Sequence, residues 1–121
     1  MRMWLCNPEI MCKKHLCGEH VEMHMLLGTF RKEKQINGYI DNNLVEPKLL
    51  HDRHAQLAQE MLNRGYNHQS EICIEDCGCM GYLPEPVLNF KIDKTAALTE
   101  LLSRCEACRE REKSFHENSK R

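Results

Sequence analysis

Read from the amino terminus, apolar positions recur at near-helical steps in three separate stretches. The first opens at Asn7-Pro8-Glu9, a capping residue followed by proline at the first helical position and an acid in the first turn. Ile10, Cys17, Val21 and Met25 follow at helical steps, and Gly28 is expected to stop the helix after Leu27. Gly18 weakens its interior by about 1 kcal/mol relative to alanine. The second stretch runs from Pro47 to Arg64. There Leu50, His54, Leu57 and Met61 share a face, and Gly65 stands at the left-handed cap position. The third starts near Asp93 and passes Arg111, with Ala97, Leu98, Leu101, Leu102 and Cys105 as its apolar stripe.

Between these stretches the pattern dissolves. Residues 28–46 form a polar linker whose Asn37-Gly38 and Asp41-Asn42-Asn43 read as turns. Residues 67–92 hold Cys73, Cys77, Gly78, Cys79, Gly81, Pro84 and Pro86, too irregular for a long helix. No internal repeat is visible. The expectation is an all-α protein: one compact domain over residues 1–121, with three main helices and an irregular cysteine-containing loop before the last. Residues 118–121 should fray as a disordered tail.

Composition supports that class. A chain of 121 residues can close one modest core, and with seven aromatic side chains and few β-branched ones a strand-rich core has little to build on. No apolar run approaches the roughly 20 residues a membrane span needs, and the first residues lack the hydrophobic stretch of a signal peptide. A cytoplasmic protein with no membrane partner is the expectation. The net charge of −1 argues against nucleic acid, but the distribution of charge weakens that objection. Residues 1–40 carry six basic and four acidic side chains, residues 41–93 four and nine, and residues 94–121 seven and five. Two mildly basic ends around an acidic waist could share one basic face.

Eight cysteines without a secretory signal should be thiols, and such chains more often bind metal than form disulfides. Cys77 and Cys79 in the loop, with Cys105 and Cys108 later, would supply four thiolates to a structural zinc; the alternative is buried free thiols. His20 and His24 have a metal-compatible spacing, but without a third ligand of known position the surface or core reading is preferred. His51 and His54 are read the same way.

On the first helix, His15, Glu19 and Glu22 lie at steps of four and three and therefore share a face. Three ionisable groups so arranged form either a solvated stripe or the wall of a pocket. His15 is either a satisfied core histidine or a support for such a pocket.

Arg2, then His15-Leu16, Glu19 and Glu22, in this order and without a gap, together with Arg64-Gly65-Tyr66-Asn67 at the end of the second helix, resemble the pyrimidine-dimer DNA glycosylase/AP lyase family of phage endonuclease V. Met1-Arg2-Met3-Trp4, Gly18-Glu19-His20, Tyr82-Leu83-Pro84 and Cys105-x-x-Cys108-Arg109 are similar to short bacterial and phage members, so the resemblance spans nearly the whole chain. It implies a DNA-repair enzyme acting on double-stranded DNA as a monomer, with pyrimidine dimers as the default substrate. Its nucleophile would be a terminal amine, here that of Met1, which the bulky Arg2 should protect from removal. Glu22 would be the partner carboxylate. Arg2, His15, Glu19, Arg64 and Arg109 would support the site or contact DNA. No cofactor is required for that chemistry.

Two arginines that the phage enzyme carries on the glutamate helix fall on Val21 and Met25, and its aromatic, lysine-containing tail is replaced by a basic one. These departures weaken the dimer assignment more than the amine chemistry. They leave open an AP lyase, a glycosylase for another modified base, or a non-catalytic zinc-stabilised binding module.

Overall fold

The computed structural model describes residues 1–66 and 80–119, the side chains of 118 and 119 excepted. The described residues form α1 (Lys13–Arg31), α2 (Asn37–Asp41), α3 (Leu50–Asn63), α4 (Glu85–Leu88), α5 (Lys94–Arg104) and α6 (Glu106–Ser119), with no strand among them. The all-α class is therefore as expected. Cys73, Cys77 and Cys79 lie outside the described residues, as does the first half of the loop that contains them.

Helix α1 starts later and ends later than its sequence signals suggest. Asn7 does cap, but it caps a 3-10 turn at Pro8–Ile10, its Oδ1 accepting the Glu9 N–H at 3.0 Å. Met11 then turns extended (φ −79°, ψ 137°) and buries its side chain completely, so α1 begins only after Cys12. At the other end the helix passes through Gly28 to Arg31, because Leu26, Leu27 and Phe30 are all buried. Burying a phenylalanine contributes about 1.5–3 kcal/mol, which outweighs the roughly 1 kcal/mol that a helical glycine costs.

Helix α3 follows its pattern closely. A 3-10 turn at Pro47–Leu49 leads into it, and Leu50, His54, Leu57 and Met61 are buried against α1. Gly65 ends it with φ +81°. The Tyr66 N–H donates to Met61 O at 2.8 Å and the Gly65 N–H to Leu62 O at 2.9 Å, the paired bonds of a Schellman cap.

The third stretch is two helices rather than one. Asp93 caps α5 by accepting the Ala96 N–H at 3.1 Å. The chain leaves helical geometry at Cys105 (φ −122°, ψ 108°) and restarts as α6, which packs over the Pro8–Ile10 turn. Nothing local marks Cys105 as a breaker; the break lets Leu101 and Cys108 both reach full burial. The linker also differs from expectation. Asn37-Gly38 lies inside α2, and the segment after it braces the start of α5. Asn43 Oδ1 accepts the Asp93 N–H at 2.8 Å, and the buried Glu46 accepts the Ile92 N–H at 2.9 Å.

Residues 1–4, which show no periodicity, run extended into the core, and the chain turns at Leu5 and Cys6. Met3 is fully buried and Trp4 is 5% exposed. A buried ion pair fixes this segment: Arg53 of α3 and Glu19 of α1 have side chains 1% and 0% exposed. Glu19 Oε1 accepts from Arg53 Nη2 at 3.0 Å and from the Trp4 N–H at 3.1 Å, while Arg53 Nε donates to Glu19 Oε2. Arg53 Nη1 donates to Cys6 O at 2.8 Å and to Gln56 Oε1 at 2.7 Å.

Two sets of variants test this packing. Gly28→Ala and Gly65→Ala should shift stability in opposite directions, each by about 1 kcal/mol, because neither new Cβ meets an atom within 4 Å and only the backbone conformation differs. Urea midpoints measure this, with Gly28→Ala expected to stabilise. Arg53→Met should cost about 3–5 kcal/mol by leaving Glu19 buried without its partner. A loss below about 1 kcal/mol would remove the ion pair from its organising role.

Candidate active site

The site grows out of the way the extended terminus lies against α1. Peptide groups of an extended chain point alternately to opposite sides. The Arg2 N–H donates to Glu22 Oε2 at 3.2 Å and the Trp4 N–H to Glu19, whereas the Met3 N–H between them turns away to Leu44 O at 2.6 Å. Two glutamates one helical turn apart thus receive two amides of the same segment. Leu5 takes a left-handed conformation (φ 54°), after which the Cys6 carbonyl meets Arg53.

Met1 and Glu22 line one cavity of about 440 Å³ together with Arg2, Asn42, Leu44, Glu100 and Arg104. The Met1 amine is one residue removed from the amide bound to Glu22. Arg2 lies across Trp4, its guanidinium carbon 3.6 Å from the ring centroid, and pairs with Glu100 of α5 at 2.9 Å. Its Nε is buried without a hydrogen-bond partner among the described residues. Glu100 also pairs with Arg104. The hydrogen bond from Arg2 holds the Glu100 carboxyl below its ordinary range against the opposing effect of burial, and the Arg2 and Arg104 charges act in the same direction. A larger hollow of about 550 Å³ is lined by Glu9, Glu60, Asn63, Glu110, Arg111, Ser114 and Phe115. Its three carboxylates make it a poor seat for a phosphodiester.

The structure separates the other sequence candidates. Glu19 is sealed against Arg53 rather than open to the cavity. Arg64 commits its guanidinium to Glu60 Oε2 (2.7 Å), Pro8 O (3.0 Å) and Met11 O (2.7 Å), stapling the turn before α1. Arg109 is exposed and donates to Leu102 O at 3.1 Å. Val21 and Met25 stand on the outer face of α1, each 55% exposed. Arg53, Glu100, Arg104 and Asn42 were missed: nothing in their local sequence sets them apart, and Glu100 meets Arg2 from the far end of the chain.

His15 faces a group of thiols. Its Nδ1 is 3.2 Å from Cys12 Sγ and 3.7 Å from Cys108 Sγ, and Cys12 Sγ is 3.7 Å from Cys105 Sγ. Burial lowers its pKa, helped by Lys14 and opposed by Glu22. Among the described residues, Cys105 and Cys108 meet Cys12 and His15, which long-range folding brings together; Cys77 and Cys79, expected beside them, lie outside the described residues. Cys12, His15, Cys105 and Cys108 could hold a metal ion. A second group, His20, His24 and His54, supplies the third histidine that the α1 spacing lacked; His24 Nε2 and His54 Nε2 are 3.1 Å apart. Cys6 is a packing residue, its thiol pushed up to about 11 by burial despite the nearby Arg53 charge.

No helix among the described residues is long and apolar enough to cross a membrane. No curated protein and no solved structure matches the chain. A family model described as pyrimidine dimer DNA glycosylase matches residues 1–73, the part that carries Met1, Arg2, Glu19, Glu22, Arg53 and Arg64. With more than half of its length covered, from the extended terminus through α3, the chain belongs to the pyrimidine dimer DNA glycosylase family.

Proposed function

We propose that the protein is a DNA glycosylase with AP-lyase activity, in which the α-amine of Met1 is the nucleophile and Glu22 its proton-shuttling partner. The observation that carries this reading is that Met1 and Glu22 line one cavity, with the Arg2 amide held on the Glu22 carboxylate. Family membership supports the glycosylase half. The lyase half rests on what a terminal amine can do beside a carboxylate.

An α-amine has a reference pKa of about 7.7–8.0, so a useful neutral fraction exists near pH 7, whereas a lysine at about 10.4 would need strong burial. The neutral amine's lone pair forms a bond to the sugar C1′ as the bond from C1′ to the damaged base breaks, and the base leaves with the electron pair and takes up a proton. Loss of an amine proton and opening of the sugar ring give an iminium at C1′. The iminium acidifies the C2′ proton, which the Glu22 carboxylate removes. The freed electron pair forms the C2′=C3′ bond while the C3′–O bond breaks, releasing the phosphate. Water then hydrolyses the imine and returns the amine. No metal or cofactor is needed for any of these steps.

Glu22 suits the shuttle better than Glu100. The latter is committed to Arg2 and Arg104 and held in its ionised form, so it serves to position Arg2. Arg2 lines the cavity, where its guanidinium charge favours a nearby phosphate. Arg109 remains a candidate for DNA contact, while Arg64 and Glu19 act by holding the framework. The protein would work as a monomeric single domain on double-stranded DNA, opening the site by extruding the damaged nucleotide. The exposed, apolar Val21 and Met25 favour testing abasic DNA beside the dimer substrate.

Borohydride trapping on ultraviolet-irradiated and abasic duplexes, run side by side, tests nucleophile and substrate together. A covalent adduct is expected with the native chain and is lost when residues are added ahead of Met1; an undiminished adduct in the extended protein would sink the assignment. Glu22→Gln keeps an acceptor for the Arg2 amide, so its melting temperature should hold while strand cleavage falls by at least about 10²-fold. Cleavage at the native rate in that variant would reduce Glu22 to an anchor for the terminus.

A further inference from the structure

The geometry points to a tetrahedral zinc site formed by Cys12, His15, Cys105 and Cys108, which clamps the start of α1 to the break between α5 and α6. This lies beyond the glycosylase reading and does not depend on it.

The distances fit a metal better than they fit packed thiols. Zinc binds sulfur at about 2.3 Å and histidine nitrogen at about 2.0–2.1 Å, so a tetrahedral ion holds S and S about 3.8 Å apart and S and N about 3.5 Å apart. Cys12 Sγ and Cys105 Sγ are separated by 3.7 Å. His15 Nδ1 stands 3.7 Å from Cys108 Sγ and 3.2 Å from Cys12 Sγ. All four ligand atoms lie within 4.8 Å of one another. A disulfide would need about 2.05 Å between sulfurs, and these cysteines are free thiols.

The surrounding backbone supplies a second, independent observation. The Cys12 N–H donates to Cys108 Sγ at 3.2 Å and the Cys108 N–H to Cys105 Sγ at 3.4 Å. Amide donors of this kind stabilise negative charge on metal-bound sulfur. Each ligand pair also sits at a helix start. Cys12 is the N-cap of α1 with His15 in its first turn; Cys105 immediately precedes α6 with Cys108 in its first turn. The positive ends of two helices favour thiolates at that point. The Trp4 ring meets His15 edge-on at a centroid distance of 5.9 Å and helps fix the imidazole.

Three soft sulfurs and one nitrogen select zinc over oxygen-loving magnesium or calcium. Four protein ligands leave no open position, so the ion is structural. It joins residues 93 positions apart in the chain. Through α1 it braces the helix that carries Glu19 and Glu22, and through Cys105 it sets the direction in which α6 leaves α5.

Elemental analysis of the full chain, purified without added metal, should find one zinc per chain. Cys77→Ser/Cys79→Ser should retain it, and Cys108→Ser should lose it. Because Cys108→Ser could unfold, His15→Cys serves as a second variant: it keeps four ligands and should keep the zinc. In cobalt(II)-exchanged native protein, sulfur-to-cobalt charge transfer and the intense visible bands of a tetrahedral ion are expected, and both should shift in His15→Cys. The site is overturned if the protein takes up no metal with all its thiols titratable, or if the Cys77→Ser/Cys79→Ser variant loses the zinc. Cobalt bound without charge transfer from sulfur overturns it equally, placing the metal on nitrogen ligands such as His20, His24 and His54.

Discussion

A guanidinium and a carboxylate buried together must have nearly every polar atom satisfied, or desolvation outweighs their attraction. Arg53 and Glu19 meet that condition by drawing in backbone from elsewhere: the Trp4 amide and the Cys6 carbonyl. The ion pair therefore does more than join α1 to α3. It makes the extended terminus a required partner of both helices, since Trp4 and Cys6 supply groups that Glu19 and Arg53 would otherwise lack. Chain termini ordinarily fray. Here the first residues are held at Arg2, Met3, Trp4 and Cys6 by four separate contacts.

In the proposed reaction, that constraint would position the terminal amine. A nucleophile on a floppy end would seldom be within reach of a substrate carbon, and orientation is a large part of what a protein can contribute to such a reaction. Anchoring the amides of residues 2 and 4 on Glu22 and Glu19 gives Met1 a defined exit into the cavity, with only the first residue free of these anchors. One helix face thus divides its work. Glu19, turned toward α3, is structural, and Glu22, one turn on and half-buried, faces the cavity.

Helix α1 is gripped again at its start by the contacts among Cys12, His15, Cys105 and Cys108, and by the Arg64 staple on the turn before it. Long-range ties therefore converge on its first two turns, which lead directly into the two glutamates. The charge distribution is concentrated in the same way. The net charge is −1, and the arginines at the cavity, Arg2 and Arg104, are arranged around Glu100.

The sequence by itself determined the all-α class, the buried face of α3, the glycine cap at Gly65 and, through the resemblance, the family. These rest on signals contained within a few turns of helix or on residues kept in fixed order along the chain. Tertiary structure decided the rest. It delayed α1 to Cys12, carried it past Gly28 for the sake of Phe30, and broke the last helix at Cys105. It gave Glu19 to Arg53 and His15 to the thiols, and it brought His54 to His20 and His24. In each case the deciding energy comes from burial or pairing between residues far apart in the chain. Local propensity of about 1 kcal/mol yields to such contacts, and no spacing along the sequence announces them.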